Sequence, residues 1–388
     1  MPPPPSSVIE LTQALVRIPS VNPDGDPGTG QTGEQNCAEF VGSFLEHSGA
    51  EVFLDEVLPG RPNVIGRFPS APSADGKKKP RIVFGPHTDT VGVGGMEIDP
   101  FGGEVRDGRV WGRGASDTKG PMAAMLWALH EMRDEIPGLP VEVHFAGFMS
   151  EESAQLGSQH FARHHGPYDF AIIAEPTELK TVFRHKGCLW ADIHTTGIAA
   201  HGATPEAGEN AIVRMARLVS ALDGEFRELL VEAGGTDEWL GGSTINIGMI
   251  RGGTRSNIVP DSCTLRVDIR TTPGLQKHGG ALVLLRDFIA RHDAAAAVTI
   301  AADAQPLGTD PEHPLVHRLV SCGAALTGAP WFCDAAFLAA HGTPAVAIGP
   351  GSIAQAHTKN EFIRIEDLKN GAAFFRGFLQ SLRTPRTA

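Results

Sequence analysis

Short apolar runs alternate along this chain with longer stretches whose apolar residues recur at helical spacing, and that alternation predicts an α/β protein. The runs at 51–54, 63–68, 81–84, 141–148, 169–174 and 345–348 read as strands, several of them closed by Gly, Pro or an acidic pair. Ser7-Val-Ile-Glu10 has the form of a capping box, and Leu11, Leu15 and Val16 continue it as a helical stripe. Further helices are expected at 33–47, from 120 onward with Met122, Met125, Leu126, Leu129 and Met132 on one face, at 315–326 and at 366–382. Between 183 and 303 the order changes to strand (188–195), helix (209–222), two strands (243–250, 263–270), helix (281–292) and strand (297–301). That β-α-β-β-α-β order is the ferredoxin-like unit with an antiparallel sheet. We therefore expect one domain made of residues 1–182 and 304–388, interrupted by an inserted domain at 183–303.

The ends of the predicted strands carry the chemistry. The run 81–84 breaks at Gly85-Pro86 and presents His87 and Asp89; the run 141–148 leads into Glu151-Glu152, and 169–174 into Glu175. Asp117 stands at a helix entrance and His357 in a glycine-rich loop after the last strand. Open α/β sheets bind ligands in the crevice beyond the carboxyl ends of their strands, so His87, Asp117, Glu151, Glu152, Glu175 and His357 can all converge there. Singly, each reads more readily as a solvated loop residue or a hydrogen-bonded structural one; together they form a nitrogen and oxygen ligand set without thiolate. Such a set suits Zn²⁺, with Mn²⁺ or Co²⁺ as substitutes.

Composition narrows the setting. At 388 residues, with 41% hydrophobic and 20% charged, the chain is globular and long enough for two domains. The net charge of −12 repels phosphate backbones, so nucleic acid is not an expected partner. Five scattered Cys residues, none in a C-x-x-C pair, point to a reduced, cytoplasmic chain. Met1–Ser7 has neither a basic start nor an apolar run, and no stretch is long and apolar enough for a membrane span, so neither a secretory signal nor a membrane partner is expected.

Five segments taken together resemble the successive motifs of the two-zinc amidohydrolase family of acetylornithine deacetylase, succinyl-diaminopimelate desuccinylase, aminoacylase and the glutamate carboxypeptidases. They are His87-Thr-Asp89, Gly112-Arg-Gly-Ala-Ser-Asp117-Thr-Lys-Gly120, Ser150-Glu151-Glu152-Ser153, Glu175-Pro176 and Ala356-His357-Thr358, and the resemblance spans nearly the whole chain. It implies a zinc-exopeptidase-like α/β domain with a mixed central sheet, and an inserted α+β domain that serves as lid and dimer contact. It implies two zinc ions bridged by Asp117, one completed by His87 and Glu175, the other by Glu152 and His357. Asp89 would orient His87, and Glu151 would be the general base. His201, in Ala200-His201-Gly-Ala-Thr-Pro, matches the family's oxyanion donor, which reaches the neighbouring subunit's site in a homodimer. Arg270 and Asn246 resemble the residues that hold the substrate's carboxylate, and the loop containing Gly351 would add backbone donors. Thr118, Pro121 and Ser150 depart from the family pattern.

The reaction so implied is removal of an acyl group from an N-acyl amino acid, with the loop 349–357 closest to the acetylornithine deacetylase branch. A dipeptidase or carboxypeptidase of the same family is the near alternative, and a catalytically silent metal-binding scaffold the remote one. A two-metal phosphoesterase is disfavoured by the acidic balance and by the missing phosphate cradle.

Overall fold

A computed structural model describes residues 4–25, 27–73 and 76–383. The start of the Met1–Ser7 reading lies outside these residues, as do residues 26, 74 and 75. The chain divides into one compact unit of Met1–Phe183, Thr309–Thr327 and Cys333–Ala388, and a second of Arg184–Gly308 with Gly328–Phe332.

The first unit is built on a mixed sheet. Its strands run in the order Glu51–Leu58, Arg61–Arg67, Glu142–Gly147, Arg81–Gly85, Phe170–Ile173, Ala345–Ala347 and Thr181–His185. Arg81–Gly85 is parallel to both of its neighbours, as is Ala345–Ala347 to Phe170–Ile173, whereas the Glu51–Arg67 hairpin and Thr181–His185 join antiparallel. Phe84, on the central strand, meets Phe375 and Phe378 edge-on at centroid distances of 6.1 and 6.4 Å, which seats the closing helix Ile365–Ser381 against the sheet.

The helix Lys119–Glu131 is buried along nearly its whole circumference, not on one face as the Met and Leu spacing suggested. It packs against both Val8–Val16 and Ile365–Ser381. Its N-terminal Lys119 is buried too and donates from Nζ to the Ile18 carbonyl at 2.6 Å. The opening helix is capped as expected, Ser7 accepting from the Glu10 amide, but Glu10 reaches back to Ser6 rather than Ser7. Among the described residues no helix is long and apolar enough to cross a membrane.

The second unit contains Gly187–Thr196, Ala211–Ala221, Thr244–Gly252, Ser262–Thr271, Ala281–His292 and Ala297–Ala304, in that order. Its four-stranded sheet is antiparallel throughout, with Ser262–Thr271 and Gly187–Thr196 in the middle and Thr244–Gly252 and Ala297–Ala304 at the edges. An additional helix, Arg227–Gly234, follows Ala211–Ala221. The unit runs past residue 303 because Leu307–Gly308 pairs with His185 and Arg184, and Gly328–Phe332 belongs to it as well. Such two-residue pairings leave no periodicity to read in a sequence.

Candidate metal centre

Three adjacent parallel strands deliver their carboxyl ends to one edge of the first unit's sheet. His87 follows Arg81–Gly85, residues 150–152 follow Glu142–Gly147, and Glu175 follows Phe170–Ile173. Asp117 precedes Lys119–Glu131, and its carboxylate lies between two imidazoles: Oδ1 is 3.1 Å from His87 Nε2, and Oδ2 is 3.4 Å from His357 Nε2. His357 also stands 3.1 Å from Glu152 Oε2. Ligand atoms of His87, Asp117 and Glu175 all lie within 4.8 Å of one another, as do those of Asp117, Glu152 and His357, so two clusters share Asp117. His87, Glu151 and Glu152 form a third such group. His87, Asp117 and Glu175 are buried, whereas His357, held at φ 62°, is exposed.

Asp89 is fully buried and does more than face the imidazole. His87 Nδ1 is 3.0 Å from the Asp89 backbone carbonyl and 3.5 Å from its carboxylate. The carboxylate accepts the amides of Glu151 (3.0 Å) and Glu152 (3.1 Å) and the side-chain amide of Asn22 (2.7 Å). Gly351 takes φ 86° where a Cβ would stand 3.0 Å from Ser116 Oγ, and its carbonyl accepts from the Glu178 amide.

Three residues that no motif flagged hold this scaffold. Glu361 is buried and accepts from Arg113 (2.6 Å) and from the amides of Gly114, Ser116 and Asp117, fixing the loop that presents Asp117. Glu34, paired bidentately with Arg61, accepts the Ser150 amide at 3.2 Å. Asn22 links Asp89 to Ser153. Each bonds groups far away in sequence, so spacing gives no signal of them.

His201, Asn246 and Arg270 belong to the second unit. His201 is exposed in a turn, its Nδ1 accepting from the Ala203 amide at 3.1 Å. Asn246 is exposed on the edge strand Thr244–Gly252, opposite Asp268. Arg270 is half-buried and already grips Asp268 through Nε (2.9 Å) and a terminal nitrogen (3.0 Å), beside the Phe332 ring.

The profile of the family described as Peptidase family M20/M25/M40 matches residues 83–381, which include every member of the two clusters. The chain belongs to this family. An acetylornithine deacetylase of Proteus mirabilis is 30% identical over 371 residues, covering 92% of this chain and 91% of the relative. An M20 family metallo-carboxypeptidase of Sulfolobus solfataricus shares the fold with a TM-score of 0.76 at 19% identity, over 98% of this chain and all of the other. A dinuclear metal binding peptidase of the M20 family from Bacillus subtilis does so with a TM-score of 0.69 at 15% identity, over 97% of each chain. As an M20 family member, the protein is a hydrolase of amide bonds.

The electrostatics of the M20 site are those of a pocket short of positive charge. Burial, reinforced by the neighbouring carboxylates, pushes Glu151 and Glu175 well above the usual range, and burial with the Asp117 charge raises Glu152 to about 7. Hydrogen bonds to Asp117 and Glu152 lift His357 to about 10. Burial opposes protonation of His87, yet hydrogen bonds to Asp117 and Asp89 raise it. Cations placed among these groups would relieve the same crowding. Glu152 Oε1 is buried without a hydrogen-bond partner, a lone acceptor at the shared edge of the clusters. The donor set therefore fits divalent cations in a nitrogen and oxygen environment.

Proposed function

We propose that the protein removes the acyl group from an N-acyl amino acid, in the manner of an acetylornithine deacetylase or succinyl-diaminopimelate desuccinylase. The observation that carries this reading is the pair of clusters sharing Asp117, with Glu151 beside them. In it, His87 and Glu175 would hold one cation and Glu152 and His357 the other, with Asp117 serving both; zinc is the expected metal, with Co²⁺ or Mn²⁺ as substitutes. When bound, such a pair polarises the scissile carbonyl and makes water acidic enough to attack at neutral pH. Glu151 takes the proton from that water and returns it to the departing amine. Asp89 holds the main chain on which Glu151 and Glu152 sit, so the proton acceptor and the ligand keep fixed places. The choice of an N-acyl amino acid over a dipeptide is supported by the Proteus mirabilis relative, which the chain matches over nearly its whole length.

The second unit supplies the oxyanion donor His201 and the substrate contacts Asn246 and Arg270, and it joins two copies into a homodimer. In favour of the dimer, the edge strand Thr244–Gly252 exposes Met249 and Ile250, at 44% and 52%, beside an unpaired backbone edge. Arg270 would then offer substrate the part of its guanidinium that Asp268 leaves free. Mixed dimers of His201→Ala with Glu151→Gln recover activity if His201 acts across the dimer, since one of the two sites regains both groups; no recovery refutes that arrangement.

The reaction is tested with a panel of N-acetyl and N-succinyl amino acids and dipeptides, with Zn²⁺ and with Co²⁺. Release of acetate or succinate is expected. Release of two amino acids instead makes the protein a dipeptidase or carboxypeptidase, and no hydrolysis in the panel leaves it a metal-binding scaffold. Glu151→Gln is expected to keep its metal and to lose turnover by about 10²- to 10⁴-fold.

A further inference from the structure

One buried amide faces the carboxylate that the preceding reading makes the base. Gln155 Nε2 donates to Glu151 Oε1 at 3.0 Å, and Gln155 is 2% exposed. It sits just before the helix Leu156–His164 in left-handed backbone, φ 53° and ψ 36°, a conformation that Asn and Gly adopt more readily than Gln. Its backbone is held from both sides: its own amide donates to the Ser150 carbonyl at 2.6 Å, and its carbonyl accepts from Ser158 Oγ at 3.2 Å. Ser158 Oγ in turn lies 2.5 Å from Asp334 Oδ1. The side-chain amide is therefore at the end of a braced turn, and that turn begins at the residue before Glu151.

An ionised carboxylate can only accept hydrogen bonds, so the amide must present its nitrogen to Glu151 and its hydrogen is committed to Oε1. One oxygen so tied fixes the plane of the carboxyl group and leaves Oε2 as the atom that can turn toward a proton. We propose that Gln155 is a positioning residue for proton transfer: it holds the Glu151 carboxylate so that the proton travels on Oε2. A glutamine in unfavourable backbone is then explained by its reach. Asparagine would suit φ 53° better, but its amide is one methylene too short to meet Oε1. This inference rests on Glu151 being the base.

Two variants separate positioning from backbone fit. Gln155→Met keeps the length and loses the donor; Gln155→Asn keeps the donor, shortens the reach and relieves the backbone. For both we expect metal content per chain and melting temperature close to wild type, KM within about threefold, and kcat lower by at least about tenfold, since displacement of a catalytic group by about 1 Å can cost 10²-fold. A purely structural role predicts instead that Gln155→Asn equals or exceeds wild type in both stability and kcat. A kcat within twofold of wild type in Gln155→Asn overturns the proposal, as does a kcat loss matched by loss of metal or of melting temperature. Should Gln155→Met not fold, Gln155→Asn decides alone. A wild type inactive toward every amide, or a fully active Glu151→Gln, overturns the parent reading as well, whereas an active Gln155→Asn overturns this one only.

Discussion

At the scale of single residues, the site depends on acceptors as much as on ligands. Glu361 takes four donors in the buried loop before Asp117, one of them from the buried Arg113. Glu361→Gln leaves that guanidinium without its counter-charge and turns an NH₂ toward backbone donors; breaking a buried pair in this way typically costs about 3–5 kcal/mol, to be measured by urea unfolding of the metal-free protein. Asp89→Ala strands the amides of Glu151 and Glu152 and the Asn22 side chain. It is expected to weaken metal binding by about 10- to 100-fold, read by competition with a chelator. What could be read in the sequence follows the same division. His87, Glu151, Glu152 and Glu175 follow apolar runs, Asp117 stands at a helix entrance and His357 in a glycine-rich loop, all in segments that resemble the family's motifs. Glu361 and Glu34 serve backbone groups, and Asn22 the Asp89 and Ser153 side chains, that only folding brings near, and no rule of spacing connects Glu361 with Ser116.

At the scale of elements, close backbone contact sets what each position tolerates. Gly157, in the helix Leu156–His164, lies against residue 149: a Cβ there would stand 2.5 Å from the Met149 carbonyl oxygen and 2.5 Å from Asn63 Oδ1. Gly157→Ala must push that helix off the chain leading to Glu151, so we expect about 1–3 kcal/mol of destabilisation together with reduced kcat. Gly377, within Ile365–Ser381, has nothing within 4 Å of its virtual Cβ, and Gly377→Ala is expected to stabilise by about 0.4–1 kcal/mol. Thermal melting of the two variants side by side checks both signs. Long periodic elements were legible to within a few residues: 281–292 is matched by Ala281–His292, and 366–382 by Ile365–Ser381. Short ones were not. Glu104–Arg106 and Arg109–Trp111 form a hairpin where no strand was expected, and residues 315–326 split into the helix Pro314–Ser321 and the strand Leu326–Ala329, because three or four residues carry too little pattern to show a period.

For the molecule as a whole, the α/β class and the ferredoxin-like unit follow from the order of apolar runs and the mixed sheet from the family resemblance, whereas Leu307–Gly308 and Gly328–Phe332 join the second unit through pairings and packing that leave no periodic trace. The core also fixes how stability responds to acid. His144 is buried in the central sheet beside Tyr168, and burial, with Arg67 and Arg81 nearby, lowers it from 6.5 to about 4. Below pH 6.5 the unfolded chain binds a proton there that the folded chain refuses until about pH 4. Stability from this group is therefore full above 6.5 and falls across that window as pH drops, by about 3 kcal/mol in all. His144→Gln should flatten the dependence of unfolding free energy on pH by up to one proton between those limits. Order of manufacture adds a separate demand. Ala345–Ala347 fills the place between Phe170–Ile173 and Thr181–His185, so both of those strands must leave the ribosome and wait, each with an unpaired side, while residues 186–344 are translated. His357 and Glu361 emerge later still. A nascent chain thus carries most of the acidic cluster well before the site can close, and its vulnerable period in the cell is set by the time needed to synthesise the intervening unit.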